Sequence, residues 1–334
     1  MCNMKYSAAI DLGGTNIGIG IVSEEGELVF KTSVPVEDNK NPEALLTQMA
    51  EGTKKCIEEC GIEKENIVFV GIGVPGLIKG PKGPVILAAN INWHNVDAVS
   101  FLEEKIGLPV YLGNDADCAA MGEYHSGSGK QYQSLIMITL GTGIGGGAVY
   151  NGKLFPGFNG FGGEYGHIPL VHNGVQCGCG KKGCFEVYGS ANALKRETRE
   201  AAEQNPDSLI WEMCEAAEQN PDSLIWEMCE GDLDNIGGRT AFDAADRGDE
   251  TGKAIVEQYI NYLADGISGI VNMFRPEVIV LGGGVSNQGA SLLDPLNEKV
   301  AALCVASDTI EPPKVVKATL GNSAGIIGAG LLGF

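Results

Sequence analysis

The densest chemistry in the chain lies in Gly160–Glu186, GFGGEYGHIPLVHNGVQCGCGKKGCFE. One histidine and three cysteines, His167, Cys177, Cys179 and Cys184, form a single run, H-x9-C-x-C-x4-C. Four soft or borderline ligands in a closed set suit tetrahedral Zn²⁺. Glycines between the cysteines let so short a loop wrap an ion. Two carboxylates, Glu164 and Glu186, bracket the run. A zinc knot that fixes two carboxylates and an imidazole suits a polar ligand; a structural zinc with no ligand nearby is the plainer alternative.

A second group of reactive residues opens the chain. Lys5–Asp11 is a short apolar run ending in an acid, and it empties into DLGGTN, Asp11–Asn16. A hairpin turn needs only about two special residues, so this stretch carries more than a turn requires. Bare glycine backbone with a hydroxyl and an amide makes a phosphate cradle, and Asp11 can hold Mg²⁺ through water. An ordinary hairpin stays open as the alternative. The device recurs where Leu135–Leu140 runs into GTGIGGG, Gly141–Gly147, and a third apolar run, Val278–Leu281, reaches Gly282-Gly283-Gly284. Two copies of one strand-to-glycine hairpin point to two related halves that serve one phosphate site.

The elements that must position these residues are legible in outline. A β-meander is expected over Lys5–Asp11, Ile17–Ser23 and Leu28–Val34. Asn41-Pro42-Glu43 is a helix start, with a cap residue, proline at the first position and an acid in the first turn; this helix should run to about Cys60, where Gly61 stops it. Ile67–Val74 reads as a buried strand ending in GVPG, Gly73–Gly76. Residues 77–96 lack a period and are expected to be loop. Helix over Asp97–Ile106, strand over Val110–Leu112 and helix from Asp115 to about His125 follow. Beyond Ala148–Tyr150, Asn151-Gly152 is a hairpin turn signal. Helices are expected over Ser190–Glu203, over Asp249–Phe274, whose apolar residues keep close to a 3.6 period, and over Ser323–Leu332, with a last strand at Val315–Ala318.

One stretch is unusual. Glu200–Cys214, EAAEQNPDSLIWEMC, recurs identically as Glu215–Cys229. Each copy carries Asn-Pro, so two consecutive short helices are expected rather than one helix through Pro221. Two units are too few for a solenoid. The extra copy is expected to bulge at the edge of its domain and to be dispensable for chemistry.

Bulk properties narrow the classes. With 334 residues the chain can form one large domain or two ordinary ones. Its 44% hydrophobic and 20% charged residues are those of a globular protein. A formal net charge of −20 argues against nucleic acid or anionic membrane as a partner. Any bound phosphate must therefore be held by backbone N–H groups, helix ends and metal. Ten cysteines without disulfide-like spacing beyond the zinc run, and no signal-peptide pattern, lead to an expectation of a reducing cytoplasm. No apolar run reaches the ~18 residues of a membrane span.

Taken together, DLGGTN (11–16), GVPG (73–76), AAN (88–90), NDAD (114–117), GTGIGGG (141–147), EYGH (164–167), CGCGKKGCFE (177–186) and VLGGGVS (280–286) resemble the ROK family. The motifs cover most of the chain in the family's order, and the zinc segment matches at every ligand. The resemblance implies an α/β fold of two actin-like, ribonuclease H-like domains with an interdomain cleft, in the sugar kinase, Hsp70 and actin superfamily. The small domain would be 1–115 plus about 321–334. The large one would be 116–320, holding the zinc loop 167–184 and the duplicated segment 200–229. Closure over sugar would exclude water.

By the same resemblance the activity is ATP-dependent phosphorylation of glucose at O6, with Asp115 as general base. Gly76, Asn90, Asn114, Asp115, Glu164, His167 and Glu186 would bind the sugar. Asp11, Gly13, Gly14, Thr15, Asn16, Thr142 and Gly143 would take the phosphates, and Gly282, Gly283 and Gly284 the adenosine side. His167, Cys177, Cys179 and Cys184 would hold a structural Zn²⁺, and Mg²⁺ would come with ATP. A homodimer or homotetramer is expected. The alternatives are a kinase for N-acetylglucosamine, N-acetylmannosamine, mannose or fructose, and a sugar-sensing regulator without a DNA-binding domain. With the first strand expected near Lys5, no DNA-binding domain of the kind carried by the family's repressors is expected ahead of it.

Overall fold

The computed structural model describes residues 4–38, 41–205, 208–210 and 236–334. The chain forms two compact units. One comprises Met1–Met137, Gly146–Gly163 and Ala318–Phe334; the other comprises Ile138–Gly145 and Glu164–Lys317.

The first unit begins with the expected meander, β1 (Tyr6–Leu12), β2 (Asn16–Ser23) and β3 (Leu28–Pro35). Helix α1 (Pro42–Glu59) follows, and the Asn41 side chain caps it by accepting from the Glu43 and Ala44 N–H groups. Next come β4 (Ile67–Val74) and three short strands, β5 (Leu77–Ile78), β6 (Val85–Ala88) and β7 (Trp93–Val96). Helix α2 (Ala98–Ile106), β8 (Val110–Asn114) and α3 (Asp115–Ser126) complete this run.

The main sheet has the order β3-β2-β1-β4-β8. The meander strands pair antiparallel, whereas β1–β4 and β4–β8 pair parallel. β1 and β4 are buried nearly throughout because they are central; β3 alternates because it is an edge strand with one face in water. The parallel register sets Asp11 beside Gly73, and Gly73 beside Gly113. The carboxyl ends of three neighbouring strands therefore carry DLGGTN, GVPG and Asn114-Asp115, where open α/β sheets bind ligands.

The expectation of loop over 77–96 is corrected. β5, β6 and β7 form an antiparallel three-stranded sheet, with Leu77 opposite Leu87 and Ala88 opposite Trp93. Strands of two to four residues are too short to display a period. Trp93 is fully buried and anchors this small sheet to the core.

The second sheet is built from β9 (Ser134–Leu140), β10 (Ile144–Tyr150) and β11 (Lys153–Leu154), with β12 (Val278–Gly282) and β13 (Lys314–Lys317). Its order, β11-β10-β9-β12-β13, repeats the meander-then-parallel layout of the first sheet. Two related halves were legible from the glycine junctions, and the sheets have that relation. β10 starts four residues earlier than expected, so Gly145–Gly147 are strand and the turn is confined to Gly141–Gly143. The Asn151-Gly152 hairpin takes φ of 49° and 75°, as such a turn requires.

Among the described residues, the helices of the second unit are α4 (Glu186–Gly189), α5 (Ala191–Gln204), α6 (Thr240–Asp246), α7 (Glu250–Phe274) and α8 (Ala290–Leu303). The closing helix α9 (Ala324–Gly330) belongs to the first unit. Of the duplication, only residues 200–205 and 208–210 are described. Ser208 Oγ donates to both Asp249 carboxylate oxygens at 3.1 Å, and Ile210 is fully buried. The second copy, and the two short helices expected of it, lie outside the described residues.

Candidate active site

In the first unit, β1 carries Asp11 to the end of the sheet and β8 hands directly into α3. The Asn114 side chain caps α3, accepting from Ala116 N–H at 2.9 Å and Asp117 N–H at 3.2 Å. Its amide donates to the Gly76 carbonyl at 3.0 Å, which ties GVPG to the helix start. Gly76 has φ of 108°, and a Cβ there would overlap the Leu87 carbonyl, so only glycine fits. Asp115 is the first residue of α3, and its carboxylate accepts the Ala116 N–H at 2.9 Å. Asn90 is exposed in the turn Ala89–Ile91, just beyond β6.

The electrostatics of this set are those of two crowded acids. Burial pushes the Asp11 carboxyl up to about 6; the charge of Asp115 adds to the rise and Lys31 opposes it. Burial also raises the Asp115 carboxyl, against the pull of its backbone hydrogen bonds. Burial raises the cost of ionising both acids, as in a site awaiting a cation or a proton. Sequence reasoning missed Lys31, since a lysine on an edge strand gives no signal of facing an acid. Gly13, Gly14, Thr15 and Asn16 are exposed around the β1–β2 turn, which the Gly13 N–H closes onto the Asn16 carbonyl at 3.0 Å.

In the second unit the four metal-ligand candidates converge. Their donor atoms lie within 4.8 Å of one another. His167 Nδ1 stands 3.8 Å from Cys177 Sγ, and Cys179 Sγ is 3.6 Å from Cys184 Sγ. A tetrahedral zinc with bonds of about 2.0–2.3 Å has ligand edges of about 3.5–3.8 Å, so the donor set fits that ion. Gly183 makes the fold-back possible: at φ 77° its N–H donates to Val175 and its carbonyl accepts from Leu170 and Val171, and a Cβ would overlap the Val171 carbonyl. Burial pushes the Cys177 thiol up to about 12. A metal would have to supply the charge that makes it a thiolate.

The cluster orders the carboxylates around it. With Nδ1 turned to Cys177, His167 Nε2 lies 3.9 Å from Glu164 Oε2. Cys177 Sγ is 3.6 Å from Glu186 Oε1, and Glu186 Oε2 accepts the Ile144 N–H at 3.0 Å. That backbone bond was not legible in sequence. It requires Gly143, where a Cβ would overlap the Glu186 carboxylate. Glu186 is further fixed by its neighbours. Phe185 is fully buried against Gly266 of α7, and Tyr259 Oη donates to the Gly189 carbonyl at 2.7 Å. Burial of such a ring contributes about 1.5–3 kcal/mol, comparable to one hydrogen bond to a charged carboxylate.

The glycine junctions of this unit also meet. Gly283, at φ 82°, lies against the Leu140 carbonyl at the end of β9, where a Cβ would overlap. Gly282–Gly284 are thus brought beside the turn that holds Thr142 and Gly143.

The profile of the ROK family matches residues 7–333. The chain belongs to the ROK family. A glucokinase of Halalkalibacterium halodurans is 34% identical over 332 residues, covering 98% of this chain and 94% of that protein. A glucokinase of Thermotoga maritima is 34% identical over 321 residues, covering 96% and 94%. The crystal structure of a ROK family glucokinase from Streptomyces griseus in complex with glucose and AMPPNP has a TM-score of 0.78 at 31% identity, over 97% of this chain and 98% of that one. This ROK protein has the mixed α/β, actin-like fold of the family's sugar kinases.

Proposed function

We propose that this protein is a glucokinase, transferring the γ-phosphoryl group of ATP to O6 of glucose with Asp115 as general base. The observation that carries the reading is the Asp115 carboxyl. It is rigidly placed at the start of α3, half-buried and raised in basicity, at the strand ends where ligands bind. Near-full-length similarity to glucokinases, one of them crystallised with glucose and an ATP analogue, supports it.

In the reaction the O6 hydroxyl attacks the γ-phosphorus, the bond to the β,γ-bridging oxygen breaks, and the hydroxyl proton passes to Asp115. A carboxylate is a weak base for an alcohol, but the loose transition state of phosphoryl transfer lets the proton leave late. Burial brings the basicity of Asp115 closer to neutral pH, where general-base help is worth ~10²–10⁴ in rate. Glu164, His167, Glu186, Gly76, Asn90 and Asn114 are the proposed sugar contacts. Carboxylates that accept paired bonds suit a ring of hydroxyls. Asp11, Gly13, Gly14, Thr15, Asn16, Thr142 and Gly143 are the proposed phosphate contacts, with Gly282–Gly284 at the adenosine. Asp11, raised by burial and by Asp115, gains from a Mg²⁺ that arrives with ATP.

Zinc is the proposed ion for His167, Cys177, Cys179 and Cys184, and it would act as a structural tie that fixes the imidazole tautomer. His167 then presents Nε2 to substrate beside Glu164. The proposed setting is the cytoplasm, in keeping with the ATP donor, and among the described residues no helix is long and apolar enough to cross a membrane.

The test is Asp115→Asn. The amide keeps the shape and much of the hydrogen bonding but cannot take the proton. Glucose binding should persist while kcat falls by at least ~10². A variant that retains half of the wild-type kcat would place the base elsewhere.

A further inference from the structure

Glu123 lies in the last turn of α3, eight residues beyond Asp115, and is fully buried. A carboxylate at this end of a helix faces the negative pole of the helix dipole, which is unfavourable. Buried charge is retained only where it is well bonded. Here it is: Oε2 accepts from Ser128 N–H and Ser128 Oγ, both at 2.9 Å, and from Thr319 Oγ1 at 3.4 Å, while Oε1 accepts the Leu320 N–H at 2.8 Å. Two of these bonds close the end of its own helix. The other two reach the segment that leads into α9, nearly two hundred residues away in sequence.

The packing shows what that second pair controls. α3 and α9 touch backbone to backbone. A Cβ at Gly122 would overlap the Ala324 carbonyl, and one at Gly328 would overlap the Cys118 carbonyl. At the start of α9, a Cβ on Gly325 would stand 2.7 Å from the Asp11 carboxylate. At these glycines the backbones meet directly, while Cys118 and Met121 of α3 pack with Ile326 and Ile327 of α9 around them; a shift of α9 against α3 therefore moves the backbone that borders Asp11 relative to Asp115.

We propose that Glu123 is a positioning residue for phosphoryl transfer: its carboxylate locks α9 to α3 and so fixes Asp11 against Asp115. The inference rests on the kinase reading for its effect on rate, though the lock itself does not. Misplacing a reacting group by about 1 Å costs up to ~10²-fold in rate. Glu123 touches neither acid and acts only through the two helices.

The experiment compares Glu123→Gln with Ser128→Ala in the full chain. Steady-state kinetics with glucose and MgATP are measured together with amide hydrogen exchange. Glu123→Gln should lower kcat at least about tenfold, with KM for glucose changed less than about threefold, and should speed exchange over 320–330. Ser128→Ala removes a bond to the same carboxylate but leaves the tie to 319–320, so kcat should stay within about twofold. Should Glu123→Gln not fold, Thr319→Val, which removes the 3.4 Å bond and leaves the Leu320 N–H bond, should give a smaller loss of kcat and a smaller rise in exchange over 320–330, and wild-type values of both would overturn the proposal. Wild-type kcat with unchanged exchange in Glu123→Gln overturns the proposal. Equal losses in both variants overturn it too, since they make Glu123 a helix cap and nothing more. If wild type itself fails to phosphorylate sugar, the kinase reading falls, and exchange over 320–330 still decides the lock.

Discussion

At the scale of single residues, the first unit stores unfavourable charge where chemistry is expected. Asp11 is raised to about 6 by burial and by Asp115. An acid with a raised folded-state value favours folding while it holds its proton. Below the ordinary value of 3.8 both states are protonated and nothing is lost. As pH rises through about 6 the folded protein must ionise a crowded acid, and that stability is lost. Asp11→Asn should therefore melt higher than wild type at pH 8, match it near pH 3.5, and be a poor kinase throughout. Thermal melts across that range check it; a variant less stable than wild type at pH 8 would show that Asp11 is held by bonds that offset its burial. Asp11 and Asp115 stood out in sequence because DLGGTN carries more glycine and acid than a hairpin turn requires and Asn114-Asp115 stands at a strand end. What was hidden is geometric. The charge of Lys31 acts on Asp11 from an edge strand, Glu186 takes a backbone N–H it can reach because position 143 lacks a side chain, and Glu123 bonds a segment far along the chain.

Among the elements, the cysteine loop is the one whose sequence said most. Its four candidate ligands are brought within 4.8 Å of one another, since short loops leave few ways to close. Removing the metal should loosen more than the loop. Glu164, His167 and Glu186 are bonded to or beside the ligand set, and Phe185 passes the restraint to α7. The purified protein is expected to carry zinc in equimolar amount. Chelation should lower both the melting temperature and glucose phosphorylation. Small zinc peptides draw ~10–16 kcal/mol of folding free energy from the ion, and a domain with its own core will show less. Full activity in metal-free protein would contradict this. The short strands β5–β7 were illegible for the opposite reason: their order comes from tertiary packing around Trp93, which local periodicity does not encode. Helix α1, by contrast, is announced by its own cap and proline.

For the whole molecule, two sheets of the same strand order each end in glycine turns, and each unit holds part of the proposed machinery on rigid strand and helix ends. Fold and family were readable because motifs spaced along the entire chain had to agree. Which sugar is taken was not, since the hydroxyl at each ring position is read by loop shape. The central claim is tested most directly by comparing kcat/KM for glucose, mannose, fructose, N-acetylglucosamine and N-acetylmannosamine with MgATP, and by locating the new phosphate on the product. Glucose should have the highest value, with the phosphate on O6. An N-acetylhexosamine preferred over glucose by about tenfold or more would contradict the glucokinase assignment.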